Sequence, residues 1–307
     1  MISEHATEWL GYPVETYDPD KGTTPDYRNK VYRLASDYDA EEPLTDVLAR
    51  FLDNPGSEEI PALIFGLYGE HDSTPAPIIE ALVALRERLP KLRGVFLGDI
   101  VSEENEISWI NQCDVSPLFR AYPGLEHFRI RGTNGLELGE IHHAKLKSLV
   151  IESGGLDVGV LREAVAEDLP GLERLEIWLG SESYGGNVSL SDLEPVLSGK
   201  KFPKLKYLGL RDSEIQDEIA AAVARAPVLA RLETLDLSLG TLSDEGAAAL
   251  LGSDAFYGLK KADLHHHYLS DGMMARLKGS GVNVDLREQQ QDQEWRGEVQ
   301  RYIAVSE

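Results

Sequence analysis

The sequence predicts an α/β solenoid, an open horseshoe arc with parallel strands on its concave face and helices on its convex face. A six-residue pattern, leucine first and apolar residues at its fourth and sixth positions, occurs seven times. Alternating apolar residues are typical of a strand with one buried face, and the segment after each instance reads as a helix. One strand–helix unit cannot bury its own apolar face, whereas stacked units share a core.

The seven instances divide most of the chain. They are LRGVFL (92–97), LEHFRI (125–130), LKSLVI (146–151), LERLEI (172–177), LKYLGL (205–210), LETLDL (232–237) and LKKADL (259–264). Their first leucines are 33, 21, 26, 33, 27 and 27 residues apart. Helices are predicted over 158–166, 217–226 and 244–251. Ser243 and Ser270 are predicted to begin helices, because their side-chain oxygens can accept otherwise unpaired backbone N–H groups.

The two ends of the chain contain weaker repeats. Before the first clear instance, 30–36 and 62–68 read as strands, and 44–52 and 76–89 read as helices. The sequence therefore predicts a cap over 1–30, the solenoid over 31–286 with a last strand at 282–286, and a tail or second cap over 287–307.

A period near 27 residues with full helices resembles the ribonuclease-inhibitor-like class of leucine-rich repeats, as in LETLDLSLGTLSDEGAAALL (232–251). With LGDIVSEENEISWI (97–110), IESGGL (151–156), GLRDSEI (209–215) and DLHHHYLSD (263–271), the chain resembles a family of bacterial cytoplasmic leucine-rich-repeat proteins of unassigned function. The resemblance covers nearly the whole chain and implies the repeat fold, with no catalytic residues to carry over. The asparagine that usually bonds the turn after each strand is replaced by Ser213, Gly240 and His267, which leaves turn bonding there open.

Composition narrows the function classes. Lys and Arg number 30 against 53 Asp and Glu, and the formal charge of −23 repels phosphate backbones and anionic lipid headgroups. The plainer explanation of this acidity is solubility. A single cysteine, Cys113, excludes an intramolecular disulfide and suits a reducing compartment. With no long apolar run and no signal sequence, we expect a cytoplasmic monomer that binds neither nucleic acid nor membrane.

The concave face is the first candidate surface for a protein or peptide partner. Side chains between the buried leucines point into the concavity, and an exposed Trp and Tyr beside several Arg is the composition of a binding hot spot. The predicted partner-binding residues are Arg129, Arg131, Glu152, Glu176, Trp178, Tyr207, Arg211, Asp236, Asp263 and His265. The alternative is that mixed charge merely keeps a wide sheet soluble.

Two insertions after strands, at 99–117 and 180–190, provide a second candidate surface at one edge of the sheet. Its predicted residues are Asp99, Glu103, Glu104, Glu106, Trp109 and Tyr184. The alternative is that both insertions are ordinary solvated loops.

The chemistry of an enzyme is weakly represented. Neighbouring residues on a strand alternate faces, so only His265 and His267 could converge, and two ligands make a poor metal site. We expect His266 to face the core between two surface imidazoles. The sequence thus predicts no metal, no cofactor and no catalytic residue. The alternative function is an enzyme or metal-dependent accessory protein that uses the acidic loop 99–117.

Overall fold

A computed structural model describes the chain except residues 23, 39, 41, 71, 167 and 168, and except the side chains of residues 295 and 298. The chain divides into two compact units. The first contains residues 2–151 with residue 307, and the second contains residue 1 with residues 152–306. No helix in the described part of the chain is long and apolar enough to cross a bilayer.

The first unit is built on strands that follow one another in chain order. These are β1 (Glu8–Trp9), β2 (Tyr12–Thr16), β3 (Val31–Leu34), β4 (Ala62–Phe65), β5 (Gly94–Leu97), β6 (His127–Arg131) and β7 (Ser148–Glu152), whose last residue belongs to the second unit. β1 pairs antiparallel with β2, and from β2 to β6 each strand pairs parallel with the next. The helices are α1 (Leu44–Leu52), α2 (Ala76–Ala84) and α3 (Ser116–Ala121).

The second unit repeats the arrangement more regularly. Its parallel strands are β8 (Arg174–Gly180), β9 (Tyr207–Ser213), β10 (Thr234–Asp236), β11 (Lys261–Asp263) and β12 (Asn283–Asp285). The helices between and around them are α4 (Val158–Ala166), α5 (Glu194–Leu197), α6 (Gln216–Arg225), α7 (Asp244–Leu251) and α8 (Asp271–Lys278). A separate hairpin, β13 (Gln293–Trp295) and β14 (Glu298–Gln300), follows β12.

The leucine pattern forms the core, as predicted. Leu208, Leu235 and Ala262 occupy the same register position on β9, β10 and β11, and all three are fully buried. Ser243 accepts a hydrogen bond from the Glu245 N–H, and Ser270 accepts one from the Met273 N–H, at the starts of α7 and α8. The predicted α/β leucine-rich-repeat solenoid class is confirmed.

One backbone feature of the repeats is not predicted by the apolar pattern. The residue four positions after the central apolar residue of a pattern has a left-handed conformation in four repeats: Asp212, Leu239, His266 and Glu288, with φ of 54°, 69°, 55° and 61°. In the repeat of β8 the equivalent residue is Gly180, one position further on, with φ of 69°. Non-glycine residues seldom adopt this conformation. It turns the chain at or just after the end of each parallel strand from β8 to β12 and ends the alternation of side chains there.

This turn changes the expected placement of the histidines. His267 is fully buried; its Nε2 donates to the Leu286 carbonyl and its Nδ1 accepts the Leu269 N–H. It therefore takes the role of the turn asparagine, and the expectation that His267 lies at the surface and His266 faces the core is wrong. Burial lowers the pKa of both imidazoles. At Gly240, the space for a side chain is taken by Gln216, which donates to the Leu210 carbonyl.

Candidate functional site

The candidate site lies across β8, β9 and β10 in the second unit. Parallel pairing places Glu176, Gly209 and Asp236 in one row across the three strands. Gly209 leaves the gap between the two carboxylates open, because a Cβ there would lie 3.1 Å from Glu176 Cγ. The Tyr207 hydroxyl enters this gap and lies 2.5 Å from Asp236 Oδ2 and 3.1 Å from Glu176 Oε2.

Arg211, on β9, contacts residues of both neighbouring strands. Its Nη1 donates to Glu176 Oε1 at 2.6 Å, and its Nε donates to Ser238 Oγ at 2.8 Å and lies 3.4 Å from Asp236 Oδ1. Its guanidinium carbon lies 4.8 Å from the centre of the Trp178 ring. Trp178 and Arg211, both among the predicted partner-binding residues, are therefore in contact.

Arg174 closes the site from the other side. Its Nη2 pairs with Glu176 Oε2, and its guanidinium carbon stacks 3.5 Å above the centre of the Tyr207 ring. Burial alone would raise the pKa of Glu176. The guanidinium groups of Arg211 and Arg174 outweigh burial and lower this pKa to about 2. Burial, then the carboxylates of Glu176 and Asp236, raise the pKa of Tyr207. The cluster therefore holds an ionised Glu176 beside a neutral Tyr207 phenol that serves as a hydrogen-bond donor.

The expected exposure of this face is wrong for most of its predicted residues. Trp178 is only 6% exposed, because its indole N–H donates to Glu176 Oε1 and Arg211 covers the ring. Arg131, Glu152, Glu176, Asp236 and Asp263 are also buried. Tyr207, Arg211, His265 and Arg129 are partly exposed. Surface charges that face one another on a sheet pair off and shield each other, which sequence columns alone do not show.

A second group of predicted residues meets on β11 and β12. Asp263 Oδ1 accepts from His265 Nδ1 at 2.6 Å, and its Oδ2 pairs with Lys261 at 2.7 Å. Burial would raise the pKa of Asp263, but the hydrogen bonds from His265 and Lys261 lower it well below its usual range. Asp285 pairs with Arg287 at 2.8 Å.

Within the described part of the chain, Asp263, His265 and Asp285 place one possible metal-ligand atom each within 4.8 Å of one another. His265 and His267, the two histidines that strand alternation would have allowed to converge, find different partners: His265 bonds Asp263, whereas His267 is buried and bonds Leu286 and Leu269. Ammonium and guanidinium groups already neutralise both carboxylates, so a metal ion would have to displace Lys261 and Arg287.

Sequence reasoning left Arg174 and Lys261 out of the predicted site. Both stand two positions before an acidic residue on the same face of a strand, in the pairs Arg174–Glu176 and Lys261–Asp263. Opposite charges at this spacing lie side by side on a strand. That signal was available in the sequence.

Part of the second candidate surface, the sheet edge with Asp99 and Glu104, is buried within the first unit. Asp99 is fully buried; Arg33 Nε lies 3.2 Å from its Oδ2, and Arg131 Nη1 lies 3.6 Å from its Oδ1. Arg33 also pairs with Glu104 at 3.2 Å. The expectation of Asp99 as a surface residue is therefore wrong, because two buried guanidinium groups draw its carboxylate inward. Asp99 and Glu104 form an ion-pair cluster rather than the free acid–base pair that the enzymatic alternative requires.

The rest of the edge remains accessible. Glu104, Glu106 and Trp109 border a surface depression of about 530 Å³, and Trp109 is 60% exposed. Glu103 is exposed beside them. Tyr184 belongs to the second unit, in a short 3₁₀ turn, Glu182–Tyr184.

Comparisons with known proteins agree with this architecture. The family model described as Leucine Rich repeat matches residues 231–251. A protein from Bacteroides fragilis with a known crystal structure is 35% identical, with a TM-score of 0.80, and the match covers 84% of this chain and 74% of that one. An internalin (inlF) from Listeria monocytogenes is 14% identical with a TM-score of 0.34, over 79% of this chain and 76% of that one, which is too distant to support an argument. No curated protein matches the sequence.

Proposed function

Because the chain belongs to the leucine-rich-repeat family, whose members usually act as binding scaffolds, we propose that it is a non-catalytic scaffold that binds a protein or peptide. The proposed binding surface is the strand face of β8 to β12 in the second unit, and the edge around Trp109 is a separate candidate surface in the first unit. The single observation that carries the proposal is the ordered cluster of Arg174, Trp178, Tyr207 and Arg211 around Glu176.

The cluster has the composition and the rigidity of a binding hot spot. Trp, Tyr and Arg contribute most of the energy at protein interfaces. A side chain that is already fixed loses little conformational entropy when a partner binds. Here each of these side chains bonds a carboxylate, while the side chain of Arg174 remains 41% exposed to contact a partner.

Local charge supports the same surface. The ion pairs on this face join Arg174, Arg211, Lys261 and Arg287 to Glu176, Asp236, Asp263 and Asp285. Basic and acidic groups balance there, although the whole chain carries −23. An acidic partner that approaches this face therefore meets less electrostatic repulsion than it would over the rest of the chain.

The test separates binding from folding. Arg174→Ala removes the most exposed member of the cluster, and Arg162→Ala removes an arginine of the same unit whose side chain is 67% exposed in an ion pair with Asp192. Each variant and the parent would be used to capture partners, and a captured protein would be purified and its Kd measured. We expect Arg174→Ala to weaken binding about 30-fold, which corresponds to about 2 kcal/mol, and Arg162→Ala to leave it unchanged. Equal affinities for all three proteins would contradict the proposal.

A further inference from the structure

Residues 301–305 lie in a groove at the ends of three strands of the second unit. The Tyr302 N–H donates to the Tyr268 hydroxyl at 2.8 Å, and that hydroxyl donates to the Tyr302 carbonyl at 2.9 Å. The Ala304 N–H donates to the Leu239 carbonyl at 2.8 Å, and the Val305 N–H donates to Asp212 Oδ1 at 3.0 Å. The segment thus bonds to the repeats of β11, β10 and β9 in turn, mostly through its backbone.

The side chains of this segment alternate between buried and accessible. Ile303 and Val305 are buried, whereas Tyr302 is 52% exposed and Ala304 is partly exposed. Backbone hydrogen bonds combined with pockets for alternate side chains are how proteins recognise added peptides. Residues 301–305 belong to no helix or strand, and the Met1 amino group also donates to the Ala304 carbonyl at 2.8 Å. The segment is therefore bound as an extended peptide would be.

Asp212 shows that the groove is built at a cost to the fold. It is a non-glycine residue with φ of 54°, it is fully buried, and its Oδ2 has no hydrogen-bond partner. Burial raises the pKa of its carboxyl well above the usual range, against the opposing effect of the Val305 N–H. The left-handed conformation recurs in the neighbouring repeats, at Leu239 and His266. The unsatisfied buried carboxylate oxygen is specific to Asp212, and such a group in a native fold calls for a functional explanation.

The start of the segment enters an acidic depression. Arg301 pairs with Asp292 at 2.7 Å and lies 3.9 Å from Asp217, at the border of a cavity of about 720 Å³. Glu214, Glu218 and Glu245 line the same cavity. A basic side chain is favoured there because carboxylates outnumber guanidinium groups in the lining.

We propose that this groove is a peptide-binding site that the chain fills with its own residues 301–305, and that the partner supplies a segment with a basic residue followed by apolar residues two and four positions later. This inference rests on the proposed function, since it names the chemistry of the partner. The chain's own segment competes with the partner because its local concentration is high. Binding therefore requires the segment to leave the groove.

The test uses the full chain and a labelled peptide, RYIAVSE, whose sequence is that of residues 301–307. The double variant Ile303→Asp with Val305→Asp releases the segment, and Tyr302→Ala, which changes an exposed side chain, is the matched control. We expect fluorescence anisotropy to show the peptide binding at least about tenfold tighter to the released variant than to the parent or the control. A peptide with aspartate in place of both apolar residues should not bind. Equal binding by all three proteins, or equal binding of both peptides, overturns the inference.

A second measurement avoids any folding defect of the double variant. In the unmodified chain, millimolar unlabelled RYIAVSE should accelerate hydrogen exchange at the Ala304 and Val305 amides several-fold, and unchanged exchange overturns the inference. The outcome is distinct from that of the proposed function. If Arg174→Ala no longer binds the partner and the peptide never binds, the strand face is supported as the partner's binding surface and the groove is refuted as a peptide-binding site. If the peptide binds and Arg174→Ala keeps its full affinity for the partner, the groove is supported as a peptide-binding site and the strand face is refuted as the partner's binding surface.

Discussion

Arg211→Ala should destabilise the second unit by about 3 kcal/mol. The guanidinium group is mostly buried and contacts Glu176, Asp236 and Ser238. Breaking a buried ion pair by removing one partner costs about 3–5 kcal/mol, because the remaining charge stays buried. Arg174 still pairs with Glu176 in the variant, which places the cost at the lower end of that range. A sequence column alone predicts the opposite, a solvent-facing arginine whose loss barely affects folding.

The pH dependence of this loss has a defined sign. The pKa of Glu176 is lowered to about 2 in the folded chain, from an ordinary 4.5. Its contribution to stability is therefore fully present above about pH 4.5 and is lost as the pH falls toward 2. The difference between Arg211→Ala and the parent should be largest at neutral pH and should shrink over that acid range.

Urea denaturation followed by fluorescence and circular dichroism measures both effects. Agreement of the two signals checks that the unit unfolds in one step. Arg162→Ala serves as the control, since its exposed pair with Asp192 should contribute less than about 1 kcal/mol. If the midpoints of Arg211→Ala and Arg162→Ala shift equally at pH 7, the guanidinium group does not support the buried carboxylates and the account of the cluster is refuted.

Three further predictions address the core, the groove and metal. Leu235→Ala should cost about 2–5 kcal/mol, because Leu235 is fully buried, and an unchanged denaturation midpoint would show that the repeat register is misassigned. Asp212→Asn should raise the melting temperature at pH 7, and this gain should shrink toward pH 4. The pKa of Asp212 is raised in the folded chain, so the parent loses stability as the pH rises above 3.8, the ordinary pKa of an aspartate. A gain that does not change with pH would contradict this explanation. Chelator should leave the melting temperature unchanged, since Lys261 and Arg287 already neutralise Asp263 and Asp285; a fall of several degrees would instead indicate a bound metal ion.

The sequence alone determined the repeats and their core. The leucine spacing located most of the strands, and the serines before α7 and α8 marked two helix starts, because these features depend on neighbours only a few residues away. The sequence also contained the pairing of Arg174 with Glu176, two positions apart on one strand. Local periodicity is sufficient for such features, since one turn or one strand decides which side chains share a face.

Tertiary structure decided which charged residues are buried and which partners they find. Asp99 is buried because Arg33, 66 positions earlier in the chain, reaches its carboxylate and carbonyl oxygens. Glu176 depends on Arg211, 35 positions later, and Asp212 depends on Val305, 93 positions later. These contacts follow from the register of stacked repeats and from the path of the final segment. A charge enters the interior only where a partner meets it at bonding distance, and sequence spacing does not contain that distance.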